Sequence, residues 1–459
     1  MPVVLPALVL LAYVGLLPDW QPSSADGQFV EATHGVWASR GYGLVVQIDA
    51  EGAALYNISE AGCLKDEMTV SFFADVARLY QRNGDVLHVS FRPENSTRYT
   101  FDRLDALPDA CATPPGDSPQ EVFDYTWGVM AAHYAFFDVY GVDWEARRAR
   151  FAPQIRPDMT DAELFEVLGA MLEGLNDGHL ELYAEVNGEE ERWRTGTRSL
   201  GPAFRAAFAA QEEVETMGAF QSQWYFGTRE TIREEILGGD YETGSGGNVF
   251  WGRAGTVGYL NIAGMSGFAD NEEASFEEDL AAVHAVMTRA LTDLADTEAL
   301  VIDIALNQGG FDEIGLAIAS YFAAEPTLGL TKYAFTAEAD TRQSFTVVPR
   351  APSYLKPVYV LTSDITVSAA ETFTMHMRAL PTVTHVGATT RGALSDILFR
   401  PLPNGWVLLL SHEVYLDAEG VLWEGRGVPP EETFPMFDAG LDGHLNALRL
   451  LTSRLNNGG

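Results

Sequence analysis

The chain reads as a multidomain α+β protein: a small β domain, a helical bundle, then a larger α/β core. Three observations predict this. From Phe29 to about Leu107, short β-branched runs are broken by turn signals at Gly52 and Asn83-Gly84. From Ser118 to Leu175, apolar residues recur at helical spacing behind capping boxes. After Gly255, apolar strands alternate with amphipathic helices, the pattern of a sheet with helical crossovers. With 459 residues, 47% of them apolar, the chain is long enough to bury several cores.

The amino terminus opens with an apolar run, Val3 to Leu17, too short to span a bilayer comfortably. Ser23-Ser24-Ala25 offers a small-x-small cleavage site before Asp26. Residues 1–25 are therefore expected to be an export signal, with a retained anchor as the alternative. Residues 26–115 form the expected β domain. Leu44-Val-Val-Gln-Ile-Asp49 and Asp85-Val-Leu-His-Val-Ser-Phe91 are its clearest strands, and Asn57 and Asn95 each head a glycosylation triplet. The two cysteines, Cys63 and Cys111, both fall here. In an exported protein an even count suggests one disulfide, while two free buried thiols remain the other reading.

Residues 116–185 are expected to be helical after the Thr113-Pro-Pro-Gly-Asp117 linker. Ser118-Pro-Gln-Glu121 and Thr160-Asp-Ala-Glu163 launch two helices, with proline at the first helical position of the former. The second helix is expected to stop at Asn176-Asp-Gly178. His179-Leu-Glu-Leu-Tyr-Ala-Glu185 then alternates like a strand, placing His179 at a helix-to-strand corner. Residues 186–254 mix charge, aromatics and a glycine-rich patch, and read as an irregular or insertion-like segment.

Residues 255–440 form the expected core. Its strands are Val257–Ile262, Leu300–Ile304, Val358–Leu361, Val383–Val386 and Trp406–Leu410, and its helices span 272–294, 313–322 and 368–380. A closing helix is expected within 441–459.

The formal net charge is −36, from 65 acidic against 29 basic residues. Such a surface repels phosphate backbones and anionic lipid, which argues against nucleic-acid and membrane partners once the leader is gone. Zinc-protease, paired-cysteine, phosphate-loop and GxSxG motifs are all absent, and the nine histidines show no ligand spacing, so no metal or other cofactor is expected.

Four pieces could carry chemistry. Ser368 stands where a buried strand turns into a helix, so its hydroxyl faces backbone N–H groups that lack internal partners. It would also serve as a plain helix cap. Asn307-Gln-Gly-Gly310 follows another buried strand, and its glycines allow N–H groups to face a ligand. His179 and Glu424 sit in turn-rich corners. A serine nucleophile needs a base and something to orient that base.

Five segments occur together in a telling order: Leu175-Asn-Asp-Gly-His-Leu180, Val301-Ile-Asp-Ile-Ala-Leu-Asn-Gln-Gly-Gly310, Thr366-Val-Ser-Ala-Ala-Glu371, Gly387-Ala-Thr-Thr-Arg-Gly-Ala393 and Glu424-Gly-Arg-Gly-Val-Pro-Pro430. Together they resemble the tail-specific, or C-terminal processing, serine peptidase family, in its branch with tricorn protease and retinoid-binding homologues. Tyr134-Ala-Phe-Phe-Asp138 and Gly141-Val-Asp-Trp144 resemble that branch's amino-terminal bundle. The resemblance implies a crotonase-like core, Ser368 as nucleophile, and an oxyanion hole from the N–H of Ala369 and of Gly309 or Gly310.

One branch of that family uses a lysine base, but the matching position here is Ala393. Only Lys65, Lys332 and Lys356 exist in the chain. Lys356 precedes the strand leading to Ser368, which at about 3.3 Å per residue holds it roughly 16 Å away. The resemblance therefore implies His179 as base, supported by Glu424. One departure stands: tricorn-like members carry a serine before the histidine, and here the position is Gly178. No peptide-carboxylate-binding PDZ-type segment separates bundle and core.

The sequence thus predicts an exported serine peptidase acting on peptide or protein substrates, with homo-oligomers compatible. A non-catalytic binding protein on the same scaffold and an esterase-type hydrolase are the alternatives.

Overall fold

A computed structural model describes residues 19–25, 28–67, 77–196, 200–271, 273–437 and 440–458. Most of the expected leader lies outside these residues. Gln21–Pro22, within the segment assigned to it, pairs antiparallel with Leu79–Tyr80, so cleavage before Asp26 would remove an edge strand.

The amino-terminal sheet has eight strands, running in sequence order from Gln21–Pro22 through Gly35–Ser39, Leu44–Ile48, Ala53–Ser59, Gly62–Asp66, Leu79–Asn83 and Val86–Ser90 to Arg98–Leu104. Trp37, Val46, Leu55, Leu87 and Phe101 fill its core. Cys63 and Cys111 are joined in a disulfide, closing a span of 48 residues with Cα atoms 4.7 Å apart. Asn57 is buried, with its amide bonded to Asp66 at 2.7 Å and its carbonyl accepting from Arg400, so this triplet is a structural element and offers no surface for a glycan.

The helices Pro119–His133 and Asp161–Leu172 begin at Ser118 and Thr160, and Glu163 closes a capping box. The second helix ends earlier than expected. Leu172 is its last residue, and Gly174, at φ +90°, takes the left-handed stop that Asn176-Asp-Gly178 was expected to supply. These helices pack on a four-stranded sheet ordered Glu189–Arg194, Glu181–Val186, Val407–Ser411, Ile397–Pro401. The strand at 407–411, expected in the core sheet, belongs here instead. Leu408 and Leu410 point into the apolar cluster of the bundle, which captures them.

The core sheet has seven strands in the order Tyr241–Gly244, Val249–Ala254, Val257–Ile262, Ala299–Asp303, Val358–Thr362, Val383–Gly387, Glu432–Thr433. The first three run antiparallel to one another and the rest parallel. The central strands are buried on both faces, as near-continuous apolar runs require. One face is covered by helices Phe276–Asp293, Asp312–Ala319 and Ala369–Arg378. The other is covered by Leu200–Ala209, Met217–Thr231 and Gly443–Asn456.

Residues 186–254 are therefore not irregular. They contribute two strands to the core sheet and two helices to its second face. Their helices bury one side only, as Phe204 and Trp224 do against the carboxy-terminal helix region, while the strand Val249–Ala254 is buried on both faces.

Candidate active site

Ser368 follows the Val358–Thr362 strand and caps the Ala369–Arg378 helix. Its backbone lies at φ +61°, ψ −131°, a region that non-glycine residues rarely adopt. Three hydrogen bonds hold the corner. Ser368 N–H donates to the Ala393 carbonyl at 3.0 Å, Glu371 N–H donates to the Ser368 carbonyl at 2.7 Å, and the Glu371 carboxylate accepts from Ser368 N–H at 3.3 Å. Strain at a serine that the surroundings fix this firmly is a mark of a functional corner.

The Asn307–Gly310 turn comes up against it. A Cβ on Gly309, at φ +95°, would stand 2.7 Å from the Ser368 Cβ and 3.0 Å from the Ala369 nitrogen, so only glycine permits this approach. Gly309 N–H donates to Asn307 Oδ1 at 2.8 Å. Gly310, rather than Gly309, lines the recess of about 100 Å³ at Ser368.

Thr390–Ser395 is the segment that ties the site together. Glu371, wholly buried, accepts from the Thr390 hydroxyl at 2.5 Å and from the N–H groups of Gly392 at 2.7 Å and Ala393 at 2.9 Å. Burial pushes its carboxyl up to about 7, and these donors offset part of the rise. Glu424 Oε2 accepts from the N–H of Leu394 at 2.9 Å and of Ser395 at 3.0 Å. The Ser395 carbonyl in turn accepts from His179 Nδ1 at 2.7 Å. A carbonyl cannot donate, so Nδ1 carries the proton and Nε2 is left with its lone pair, the tautomer a general base needs.

Asp177 fixes the other side of His179, accepting its backbone N–H at 2.8 Å, and itself accepts from the Tyr134 hydroxyl at 3.0 Å. The Glu424 carboxyl is pushed well up by burial and by the carboxylates of Asp177 and Glu371. Among the described residues no hydrogen bond joins Ser368 to His179. Nucleophile–base contacts are commonly loose in unliganded sites.

Gly178, where the resemblance leads one to look for a serine, has its side-chain space taken. A Cβ there would meet Arg391 Nε at 2.9 Å and the Ala393 Cβ at 3.1 Å. The connection between Glu424 and His179 runs through Ser395 instead. Ser395 is held in turn by its hydroxyl, which accepts from the N–H groups of His412 at 2.9 Å and Glu413 at 3.0 Å.

Lys356 lies away from the site, donating to the carbonyls of Ala295 and Thr297. Lys332, remote in sequence, lines the Ser368 recess. It is no base: its ammonium is paired with Glu413 at 2.8 Å and bonded to the Tyr415 hydroxyl at 2.9 Å, and although burial works against the charge, Glu413 and its acidic neighbours raise its pKa. No sequence signal near Ser368 announces Lys332 or Ser395, because strand pairing carries Lys332 there and hydrogen bonds from distant residues hold Ser395.

The same recess holds Asp312, Glu313 and Asp396. Burial raises the Asp312 carboxyl, and Lys332 opposes the rise. Burial in the crowded recess pushes Asp396 up to about 6, yet 58% of its side chain meets solvent, which argues for a smaller rise. On either count it is ionised above pH 7. The recess opens into a cleft of about 1140 Å³ between the β domain and the core, sharing Thr97, Phe311, Glu313 and Asp396 with it. Across the cleft Ser96 donates to Glu313 at 2.7 Å and Arg78 pairs with Glu277 at 2.6 Å.

Comparison with known proteins matches these features. The family model "Peptidase family S41" matches residues 256–434, and the tricorn protease C1 domain model matches residues 115–173. Among solved structures, a candidate peptidase from Parabacteroides merdae is similar over 72% of this chain and 97% of its own, at 23% identity and TM-score 0.54. Mature CPAF in complex with lactacystin is similar over 74% of this chain and 99% of its own, at 14% identity and TM-score 0.51. These structures share the fold. The family S41 match spans the parallel strands, the Ser368 corner and Glu424, and the tricorn C1 match covers the helices ahead of His179, so the chain carries a peptidase family S41 domain and a tricorn C1 domain and is a serine-type peptidase.

Proposed function

We propose that this chain is an exported serine peptidase, on a core we read as crotonase-like, in which Ser368 is the nucleophile and His179 the general base. His179 takes the Ser368 proton through Nε2 as the hydroxyl attacks a peptide carbonyl. It then returns the proton to the leaving amine. The N–H groups of Gly310 and Ala369 stabilise the oxyanion. Glu424 acts through Ser395: by accepting its N–H it fixes that residue so that its carbonyl can hold the Nδ1 proton. The single observation that carries this reading is the chain of hydrogen bonds from Glu424 through Ser395 to His179, beside a strained serine.

Export is supported by the apolar leader and by the Cys63–Cys111 disulfide, a bond that persists in oxidising compartments.

The separation of Ser368 from His179 in this conformation favours one other reading, a binding protein that has kept the scaffold without turnover. Labelling with a fluorophosphonate separates the two. The proposal expects covalent modification of the native chain and none of Ser368→Ala. Absence of labelling in the native, folded chain would favour the binding protein.

A further inference from the structure

Ser368 itself lines the recess, so a side chain flanking the scissile bond can enter it. Its charge is therefore a specificity statement. Three carboxylates, Asp312, Glu313 and Asp396, line it together with one cation, Lys332. The cation is little exposed: its side chain is 3% exposed and its ammonium is bonded to buried Glu413 and to Tyr415, with Asp396 Oδ2 a longer partner at 4.0 Å. Asp396, by contrast, leaves 58% of its side chain open.

The adjoining cleft continues the pattern. Asp270, Asp279, Glu313 and Asp396 line it, with aromatic rings such as Phe311 and Phe276 among them; no lysine or arginine is among the described lining residues, and Arg78 and Arg92 lie over the rings of Phe91 and Phe276. Asp279 is committed to the N–H groups of Gly267 and Ala269 and buried, so the open negative charge gathers at the Ser368 end. A metal ion is a poor match, since among the described residues no three acids, histidines or cysteines converge on one point. Carboxylates spread around an elongated recess suit an extended organic cation, whose apolar stem would lie along Phe311 or Phe345.

We propose that the peptidase selects substrates carrying lysine or arginine next to the scissile bond, with Asp396 as the main specificity-determining residue and Glu313 its support. This rests on Ser368 being the nucleophile of a peptidase.

The test uses the full-length enzyme and a mixture of unstructured peptides that differ in the residues flanking potential cut sites. Cuts are mapped by mass spectrometry, and fluorophosphonate labelling is run in parallel. Cuts beside lysine or arginine are expected to exceed those beside glutamine or leucine by at least about tenfold in kcat/KM at low salt. The ratio should shrink at high salt, as screening of an exposed pair requires. Asp396→Asn should lower the ratio, and Asp396→Lys should move the preference toward glutamate. Labelling with cuts that ignore charge, or that keep the basic preference in Asp396→Lys, overturns this proposal and leaves the peptidase reading standing. Absence of both labelling and cuts overturns both, and labelling without any cut overturns the peptide substrate and this preference together.

Discussion

Glu424 reaches His179 through a single residue: its Oε2 accepts the Ser395 N–H at 3.0 Å, and the Ser395 carbonyl accepts from His179 Nδ1 at 2.7 Å. Glu424 is thus placed to position the imidazole by geometry and not by direct charge. Burial and two neighbouring carboxylates favour its neutral form, which fits that division of labour.

A positioning role gives a sharp expectation for substitution. Glu424→Gln keeps an oxygen that can accept both N–H groups, and its kcat/KM should stay within about tenfold of native. Glu424→Ala leaves two buried donors unpaired and should cost about 10²-fold or more, approaching the loss of about 10²–10⁴ expected for His179→Ala. Steady-state kinetics on one peptide substrate checks this. Equal losses in the Gln and Ala variants would return Glu424 to a charge-based role.

Ser368 stores strain that a glycine would release. Ser368→Gly is expected to abolish turnover while raising stability by about 1 kcal/mol, visible as a higher melting temperature. Ser368→Ala, still at φ +61°, is expected to be equally inactive with no such gain. A lower melting temperature for the glycine variant would show that the corner is relaxed.

Glu371 sets a pH dependence of stability. Its carboxyl titrates at about 7 in the folded chain, against roughly 4.3 when unfolded. Between those values the folded state holds the extra proton, so stability falls as pH rises from about 4.3 through about 7, by roughly 4 kcal/mol. Denaturant unfolding across that range should show the slope, and Glu371→Gln should flatten it. A slope of the opposite sign in this window, unchanged by the substitution, would remove Glu371 as its source.

Lys332 and Glu413 form a buried pair that also takes the Tyr42 hydroxyl from the β domain. Lys332→Met strands a buried carboxylate and should destabilise by about 3–5 kcal/mol. Lys332→Met/Glu413→Gln should recover much of that loss, since the uncompensated charge is gone. Equilibrium unfolding of the two variants provides the comparison.

Much of the site was legible in sequence because its residues sit at element junctions. Ser368 lies between a strand and a helix former run, Gly309 and Gly310 end a buried strand, and His179 follows a helix. Such junctions leave local marks in turn residues and periodicity. Ser395 and Lys332 left none. Each is an ordinary residue locally and becomes important only because long-range contacts, Lys332 paired opposite Tyr415 for instance, deliver it to the site. The strand at 407–411 was misplaced for a related reason: its apolar pattern states that it is buried but not in which sheet. Residues 186–254 resisted reading because one-sided helices stand beside a strand, Val249–Ala254, that is buried on both faces and so shows no alternation.

The long route from residue 179 to residue 424 has a consequence for timing. The histidine, the glycine turn, the serine, the bridging peptide and the glutamate arrive in that order along the chain, and each is set by partners from distant strands. On the proposed assignment, a chain still emerging from the ribosome lacks its last support, and proteolytic power is expected only once the segment carrying Glu424 has docked.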